Sequence, residues 1–355
     1  MNEKTLLFVL LAFVVAMVVS YLSTRPVMTL AHKIGAVDVP KDDRRMHDHP
    51  IPRIGGLAIF LGFLVSYLIF GTLDPETRAI LMGAVILICL GVVDDIVALS
   101  AKIKLVVQII AAAIPACCGV SIEFLNIPIG GPDNYLHFGA LSIPVTIIWI
   151  VGIANAVNLI DGLDGLAVGI SSIASMVMLA IALLRSEGYV AIAMAALLGA
   201  CLGFLPFNFN PARIFMGDTG ALFLGYILAT MSIQGLFKFY AIVSFAVPFL
   251  MLGLPIFDTA FAIIRRVAHG QSPFHADRGH VHHRLIDMGF DQKQAVTILY
   301  AISAVLGLLA VLLATSGESK IIFLALAAII CFYITVNVRR MGRHTEKPKG
   351  EDKHE

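Results

Sequence analysis

The chain is 355 residues long, 59% of them hydrophobic and 14% charged, with a formal net charge of +1. Soluble domains run near 45–50% apolar and about 25% charged, so an ordinary water-soluble globule is excluded, and so is a disordered chain. The near-neutral balance also speaks against nucleic acid as a partner, which needs a basic surface.

Crossing the hydrocarbon core takes about 20 mostly apolar residues. Eleven runs qualify, at about 5–24, 54–72, 79–94, 103–121, 142–160, 163–184, 189–206, 219–236, 241–264, 295–314 and 321–338. The first is expected to be a span and not a cleaved leader, because its only basic flank is Lys4 and no small-x-small site follows. The third is short and ends at Asp94–Asp95, and the segment 122–141 between spans 4 and 5 reads as a lid-like loop or hairpin. Cys89, Cys117, Cys118, Cys201 and Cys331 lie in apolar stretches without a CxxC, as packing or lipid-facing residues.

Eleven spans put the termini on opposite sides. Of the 25 Lys and Arg, 20 fall in the loops after spans 1, 3, 5, 7 and 9 and in the C-terminal tail, against 5 on the other side. The positive-inside rule makes the rich side cytoplasmic and the N-terminus external. The expected fold is an all-α polytopic membrane protein, one transmembrane catalytic domain over 1–338 with a charged cytoplasmic tail at 339–355, in a bacterial cytoplasmic membrane.

A charge at membrane depth costs at least about 2.5–3.5 kcal/mol, so those that persist are functional candidates. Asp94 and Asp95 end span 3, Asp161 and Asp164 follow span 5, Asp218 precedes span 8 and Asp258 lies near the end of span 9. All six fall on the cytoplasmic side, where positive-inside bias does not require acids. Taken singly, Asp161, Asp164 and Asp218 are equally well read as helix caps. Adjacent carboxylates at 94 and 95 repel unless a cation sits between them, and as a set these oxygens without cysteine favour Mg²⁺, or Mn²⁺, over zinc. Glycines 162, 165, 217 and 220 allow close approach of a ligand, the starts of spans 6 and 8 offer free N–H groups to an anion, and Lys104 and Arg213 add positive charge.

The loop after span 9 holds His269, His275, His280, His282 and His283 with Arg278 and Arg284. Zinc lacks its usual Cys or HExxH companions here, and a plain polar loop is the bland alternative. Donors for phosphate or sugar hydroxyls, with the two arginines forking onto anions, is the favoured reading. The basic first loop, from Asp38 to Gly56, is either a lipid-headgroup patch or a mouth for a phospholipid.

Five segments in order, Pro50-Ile51-Pro52-Arg53-Ile54-Gly55-Gly56, Val93-Asp94-Asp95, Asn155 through Leu166, Phe215-Met216-Gly217-Asp218-Thr219-Gly220 and His280-Val281-His282-His283-Arg284, resemble the polyprenyl-phosphate N-acetylhexosamine-1-phosphate transferases. The pattern is most similar to the WecA/TagO branch; the MraY-like branch of peptidoglycan synthesis usually has three consecutive histidines, and here Val281 interrupts them. The resemblance implies transfer of a sugar phosphate from a UDP-N-acetylhexosamine, GlcNAc foremost, to undecaprenyl phosphate, with release of UMP and possible homodimers. It implies Asp218 as the Mg²⁺ ligand with Asn158 beside it, and Asp164 and Phe215 on the uracil. Lys104 would lie near the pyrophosphate, Asn155 among the substrate contacts, and His280, His282, His283, Arg278 and Arg284 near the sugar. Asp94, Asp95 and Asp161 would complete the catalytic set, the first two mainly to hold or orient and Asp161 as a support for the metal and nucleotide site. The rival class is a cation transporter, which predicts midplane acids and inverted repeats; neither is evident.

Overall fold

A computed structural model describes residues 1–39, 50–126, 135–237, 243–271 and 279–315. The expected last span at 321–338, the tail, Arg278 and His275 lie outside them.

Twelve α-helices follow in order among the described residues: α1 Glu3–Ile34, α2 Gly56–Phe70, α3 Pro75–Val97, α4 Ala101–Cys117, α5 Ser142–Ile160, α6 Leu166–Arg185, α7 Gly188–Asn208, α8 Gly217–Ser232, α9 Val243–Met251, α10 Gly253–Ala268, α11 Val281–Asp287 and α12 Gln292–Ala314. Two short antiparallel ribbons accompany them. The first pairs β1 (Val37–Asp38) with β2 (Ile51–Pro52), and the second pairs β3 (Phe124–Asn126) with β4 (Tyr135–His137). The segment between α4 and α5 is therefore a hairpin, one of the two expected forms.

Six helical stretches among the described residues are long and apolar enough to cross a bilayer: Glu3–Ile34, Pro75–Val97, Gly139–Ile160, Leu166–Arg185, Gly188–Asn208 and Gln292–Ala314; Gly56–Phe70 is apolar but shorter. The protein is thus a multi-pass helical membrane protein. The ninth expected span is not one helix. Pro255 has no N–H to give, and its ring crowds the carbonyl four residues back; that residue is Met251, where α9 ends before α10 resumes at Gly253. Hydropathy does not register this break, because every residue across it is apolar.

The core is built on α7 and α8, whose faces are buried nearly all round. Alanine and glycine dominate α7, and Gly199 and Gly203, one turn apart, let the backbone of α1 at Phe13 and Met17 lie where any Cβ would collide. Close approach of small residues replaces the hydrophobic drive that lipid does not supply. At one end of the bundle, β2 and the start of α2 are tied to the α7–α8 loop: Phe215 N–H donates to Pro52 O at 2.8 Å, and Gly55 and Gly56 N–H donate to Phe215 and Met216 O, each at 2.9 Å. The last turn of α3, the first turn of α8 and the end of α5 gather at this same end.

Candidate active site

Helix α8 starts without a cap of its own. Its N-cap position is Met216, and no side chain there bonds the first turn. The cap comes from 123–124 residues away: Asp95, in the last turn of α3, accepts the N–H of Asp218 on Oδ1 at 3.1 Å and the N–H of Thr219 on Oδ2 at 3.1 Å. The Thr219 hydroxyl donates to the same Oδ2 at 2.7 Å. A carboxylate here satisfies orphan donors and faces the positive end of the helix. The Asp95 side chain is fully buried. Gly217 is needed beside it, since it sits at φ 69° and its missing Cβ leaves room for Arg53 O and the Asp95 carboxylate. Capping is therefore present at this site, performed by Asp95 for Asp218 and not by Asp218 itself.

Asp218 is thereby free to face Lys104 of α4. Lys104 Nζ lies 2.8 Å from Asp218 Oδ2 and 3.0 Å from Asp94 Oδ2, an ammonium held between two carboxylates. Asp94 Oδ1 also accepts the N–H of Leu99 at 2.7 Å, fixing the α3–α4 turn. Asn158, in the last turn of α5, lies beside Asp218. The Arg53 guanidinium lies 3.8 Å from Asp95 Oδ1 and 3.9 Å from Asp38 Oδ1.

The Asp161–Gly165 loop between α5 and α6 closes the group. Burial, then the negative charges of Asp218 and Asp95, outweigh the nearby Arg53 and push the Asp161 carboxyl up to about 8. Asp164 Oδ2 accepts from Asn210 Nδ2 and Ala212 N–H, each at 3.0 Å. Neither acid caps α6, whose N-cap is Gly165 at φ 76° with no side-chain cap.

The histidines meet the acids at this loop. His282 is 2% exposed, and its Nε2 rests where a Cβ on Gly162 would be. Neither of its ring nitrogens has a hydrogen-bond partner among the described residues. Burial and the neighbouring His283 hold the ring down to about 4, so it is neutral near pH 7. His280 stacks on it at 5.7 Å with an interplanar angle of 11°, and His283 lies at 4.2 Å on a tilted ring. Arg284 is exposed one residue on.

Asp94, Asp95, Asp161, Asp164, Asp218, Lys104, Asn158, His280, His282 and His283 thus share one end of the bundle. Phe215 joins them, half-buried and fixed through its backbone to the first ribbon. Asn155 differs. It lies a turn deeper than Asn158, donates to Gln108 Oε1 at 2.6 Å and Val151 O at 2.8 Å, and accepts from Gln108 Nε2 at 3.4 Å. Its amide is engaged in joining α4 to α5. Asn208 escaped notice in the sequence: buried at the end of α7, it accepts from Gly165 N–H at 3.1 Å and donates to Ile214 O at 3.0 Å, joining the two loops of the site. An amide ending an apolar helix looks like any C-terminal polar residue, so only its position beside two glycine-rich loops could have marked it.

Among protein families, glycosyl transferase family 4 matches residues 77–236, which run from the first turn of α3 to the end of α8 and its continuation. A Bacillus subtilis (strain 168) protein described as a probable undecaprenyl-phosphate N-acetylglucosaminyl 1-phosphate transferase is 39% identical over 98% of this chain and 97% of its own. The chain belongs to this transferase family. A Thermotoga maritima undecaprenyl-phosphate alpha-N-acetylglucosaminyl 1-phosphate transferase is 31% identical over 88% of this chain and 92% of its own. A Mycobacterium tuberculosis (strain ATCC 25618 / H37Rv) decaprenyl-phosphate N-acetylglucosaminephosphotransferase is 37% identical over 80% and 77%. Membership makes the protein an enzyme, a phosphotransferase of the WecA/TagO-like branch, and removes the transporter reading.

Proposed function

We propose that this transferase moves GlcNAc-1-phosphate from UDP-GlcNAc to undecaprenyl phosphate at the cytoplasmic face, releasing UMP and starting a cell-envelope glycopolymer such as teichoic acid or O-antigen. The single observation that carries the reading is the meeting of acids from α3, the α5–α6 loop and α8 with Lys104 and a buried, unpartnered His282. The activities for which the relatives are named support the sugar and the lipid class, and the 20-to-5 division of basic residues supports the orientation.

Two anionic substrates must be brought together against their own repulsion. The donor set suits Mg²⁺: Asp218 and the Asn158 amide offer hard oxygens, and no group of three or more His, Cys, Asp or Glu among the described residues forms a ready cage. Mg²⁺ keeps waters and takes one or two carboxylates with substrate phosphates. Bound there by Asp218 and Asn158, it would neutralise charge on the diphosphate.

The chain's own residues do the positioning. Lys104 can turn from the two carboxylates toward a phosphate oxygen, and Arg53 offers a second cation. Asp95 holds the α8 amides in place. Asp164 and Phe215 are assigned to the uracil, and His282, neutral with both nitrogens open, to a sugar or phosphate hydrogen bond. A phosphomonoester is largely dianionic at neutral pH, with a second pKa near about 6, so the lipid oxygen attacks the sugar-bearing phosphorus directly. The new P–O bond forms as the bond to UMP breaks, UMP departs with the electron pair, and the sugar C1–O bond is kept. Phosphoryl transfer asks for little covalent help.

The test is UMP release by the purified protein supplied with UDP-GlcNAc, undecaprenyl phosphate and Mg²⁺. Turnover that Asp218→Ala abolishes supports the reading. No UMP from wild type with any UDP-N-acetylhexosamine overturns it, and preference for UDP-MurNAc-pentapeptide would move the protein to the MraY-like branch.

A further inference from the structure

Helix α10 carries its charge on the inside. Phe257, Phe261 and Ile264 are exposed along one face, while Asp258, Ala262 and Arg266 are buried on the other. An ionisable residue in such a helix needs a partner, and the partner of Asp258 is the histidine loop. Asp258 Oδ2 lies 2.7 Å from His280 Nδ1, and Oδ1 accepts the N–H of Val281 at 2.8 Å. Both side chains are buried, 3% and 7% exposed. Arg265, about two turns further along the helix, donates to Gly279 O at 2.9 Å and holds the strand of chain that leads into His280.

We infer that Asp258 is a positioning residue that sets the tautomer of His280 and, through it, the histidine stack over the Asp161–Gly165 loop. The inference rests on the transferase reading above. An ionised carboxylate only accepts hydrogen bonds, so the proton of a neutral His280 sits on Nδ1 and Nε2 is left as an acceptor. Nε2 has no partner among the described residues. The ring is also fixed in plane by its stack on His282, whose Nε2 abuts Gly162. A carboxylate that fixes an imidazole's proton in this way usually matters to activity well beyond its contribution to folding.

The rival reading is that Asp258 merely caps α11, of which Val281 is the first residue. Two substitutions separate them. Asp258→Asn keeps an oxygen for Val281 N–H but turns an NH₂ toward His280 Nδ1, which must then become the acceptor, moving the proton to Nε2. Val281→Pro removes only the capped N–H; proline suits a first helical position, and His280 before it already has φ −63° and ψ 149°, the region a residue before proline prefers.

The experiment measures kcat and KM for both substrates, the melting midpoint, and ¹⁵N shifts of histidine-labelled protein, with the His280 signals assigned from their loss in His280→Gln. Asp258→Asn is expected to lower kcat about 100-fold, with KM within about threefold and an unchanged midpoint. Its His280 proton should appear on Nε2, whereas wild type carries it on Nδ1. Val281→Pro should stay within about threefold of wild-type kcat, and Asp258→Asn should add nothing to the loss in His280→Gln. Equal losses in Asp258→Asn and Val281→Pro, or a kcat loss that follows the midpoint, would overturn the inference in favour of capping. A wild-type proton on Nε2 would overturn it whatever the activity. Because the ¹⁵N measurement needs no turnover, failure of the transferase reading and failure of this one are told apart.

Discussion

Removing Asp95 should damage the fold before it damages the chemistry. Its fully buried carboxylate takes three hydrogen bonds from the first turn of α8. Asp95→Ala leaves two amides and a hydroxyl without an acceptor, each worth about 1–3 kcal/mol when unsatisfied and buried, and removes a charge at a helix start worth up to about 2 kcal/mol. Relief of repulsion from Asp218 offsets part of this, which leaves a loss of about 3 kcal/mol. Unfolding entropy near 2.1 cal/mol/K per residue gives about 0.75 kcal/mol/K over this chain, so the midpoint should drop by about 4 °C. Asp95→Asn keeps one acceptor for Thr219 but turns an NH₂ toward the Asp218 amide, and should lose about half as much.

The assay is a scattering-detected melt of each purified variant in detergent with a chelator present, run beside UMP release at saturating Mg²⁺. The expected order of midpoints is wild type, Asp95→Asn, Asp95→Ala. An Asp95→Ala midpoint within 1 °C of wild type, with turnover gone, would refute the capping argument and return Asp95 to direct chemistry.

Three further outcomes follow from the same geometry. Lys104→Met leaves Asp94 and Asp218 without the ammonium between them, so its midpoint in chelator should fall by the equivalent of about 2–3 kcal/mol; Mg²⁺ should restore more to it than wild type gains, and the absence of that recovery would remove the metal from this gap. His282 is held down to about 4 against about 6.5 unfolded, so the unfolded chain binds the extra proton between those values. Stability is then full above about pH 6.5 and is lost as pH falls toward 4, by at most about 3 kcal/mol; melts from pH 7 to 5 should show a slope that His282→Gln flattens, and an unchanged slope would contradict the buried neutral ring. Arg53 is itself 39% exposed and its two ion pairs are long, at 3.8 and 3.9 Å, so they are worth under about 1 kcal/mol and Arg53→Ala should leave the midpoint within about 1 °C while raising KM for the UDP-sugar about tenfold; a matching fall in the midpoint would make it structural.

What the sequence could reveal depended on how local each signal was. Apolar runs of about 20 residues register directly in the chain, and α1 to α8 and α12 occupy the runs where they were expected. The break at Leu252 did not register, because Pro255 acts on Met251 by sterics within a stretch that is uniformly apolar. The acids stood out because carboxylates in such runs are expensive. Their division of labour did not, since it is written in contacts such as Asp95 with Thr219, 124 residues apart, and Lys104 with Asp218, 114 apart. Asp218 could pass for a cap only while the true cap was hidden on another helix.

The same reasoning explains why the sequence assigned Asp258, alone of the six acids, no role. Asp94 and Asp95 flag each other by adjacency, and Asp161 and Asp164 by the glycines between and after them, whereas Asp258 stands alone among apolar neighbours. Its partner lies 22 residues on, across a loop. An isolated carboxylate in an apolar helix is nevertheless the case in which a partner is most strictly required, because nothing local can satisfy it. The distribution of acids thus carries more than the location of the site: paired acids point to where charge is gathered for a ligand, and the solitary one points to a side chain elsewhere that must be held in one orientation.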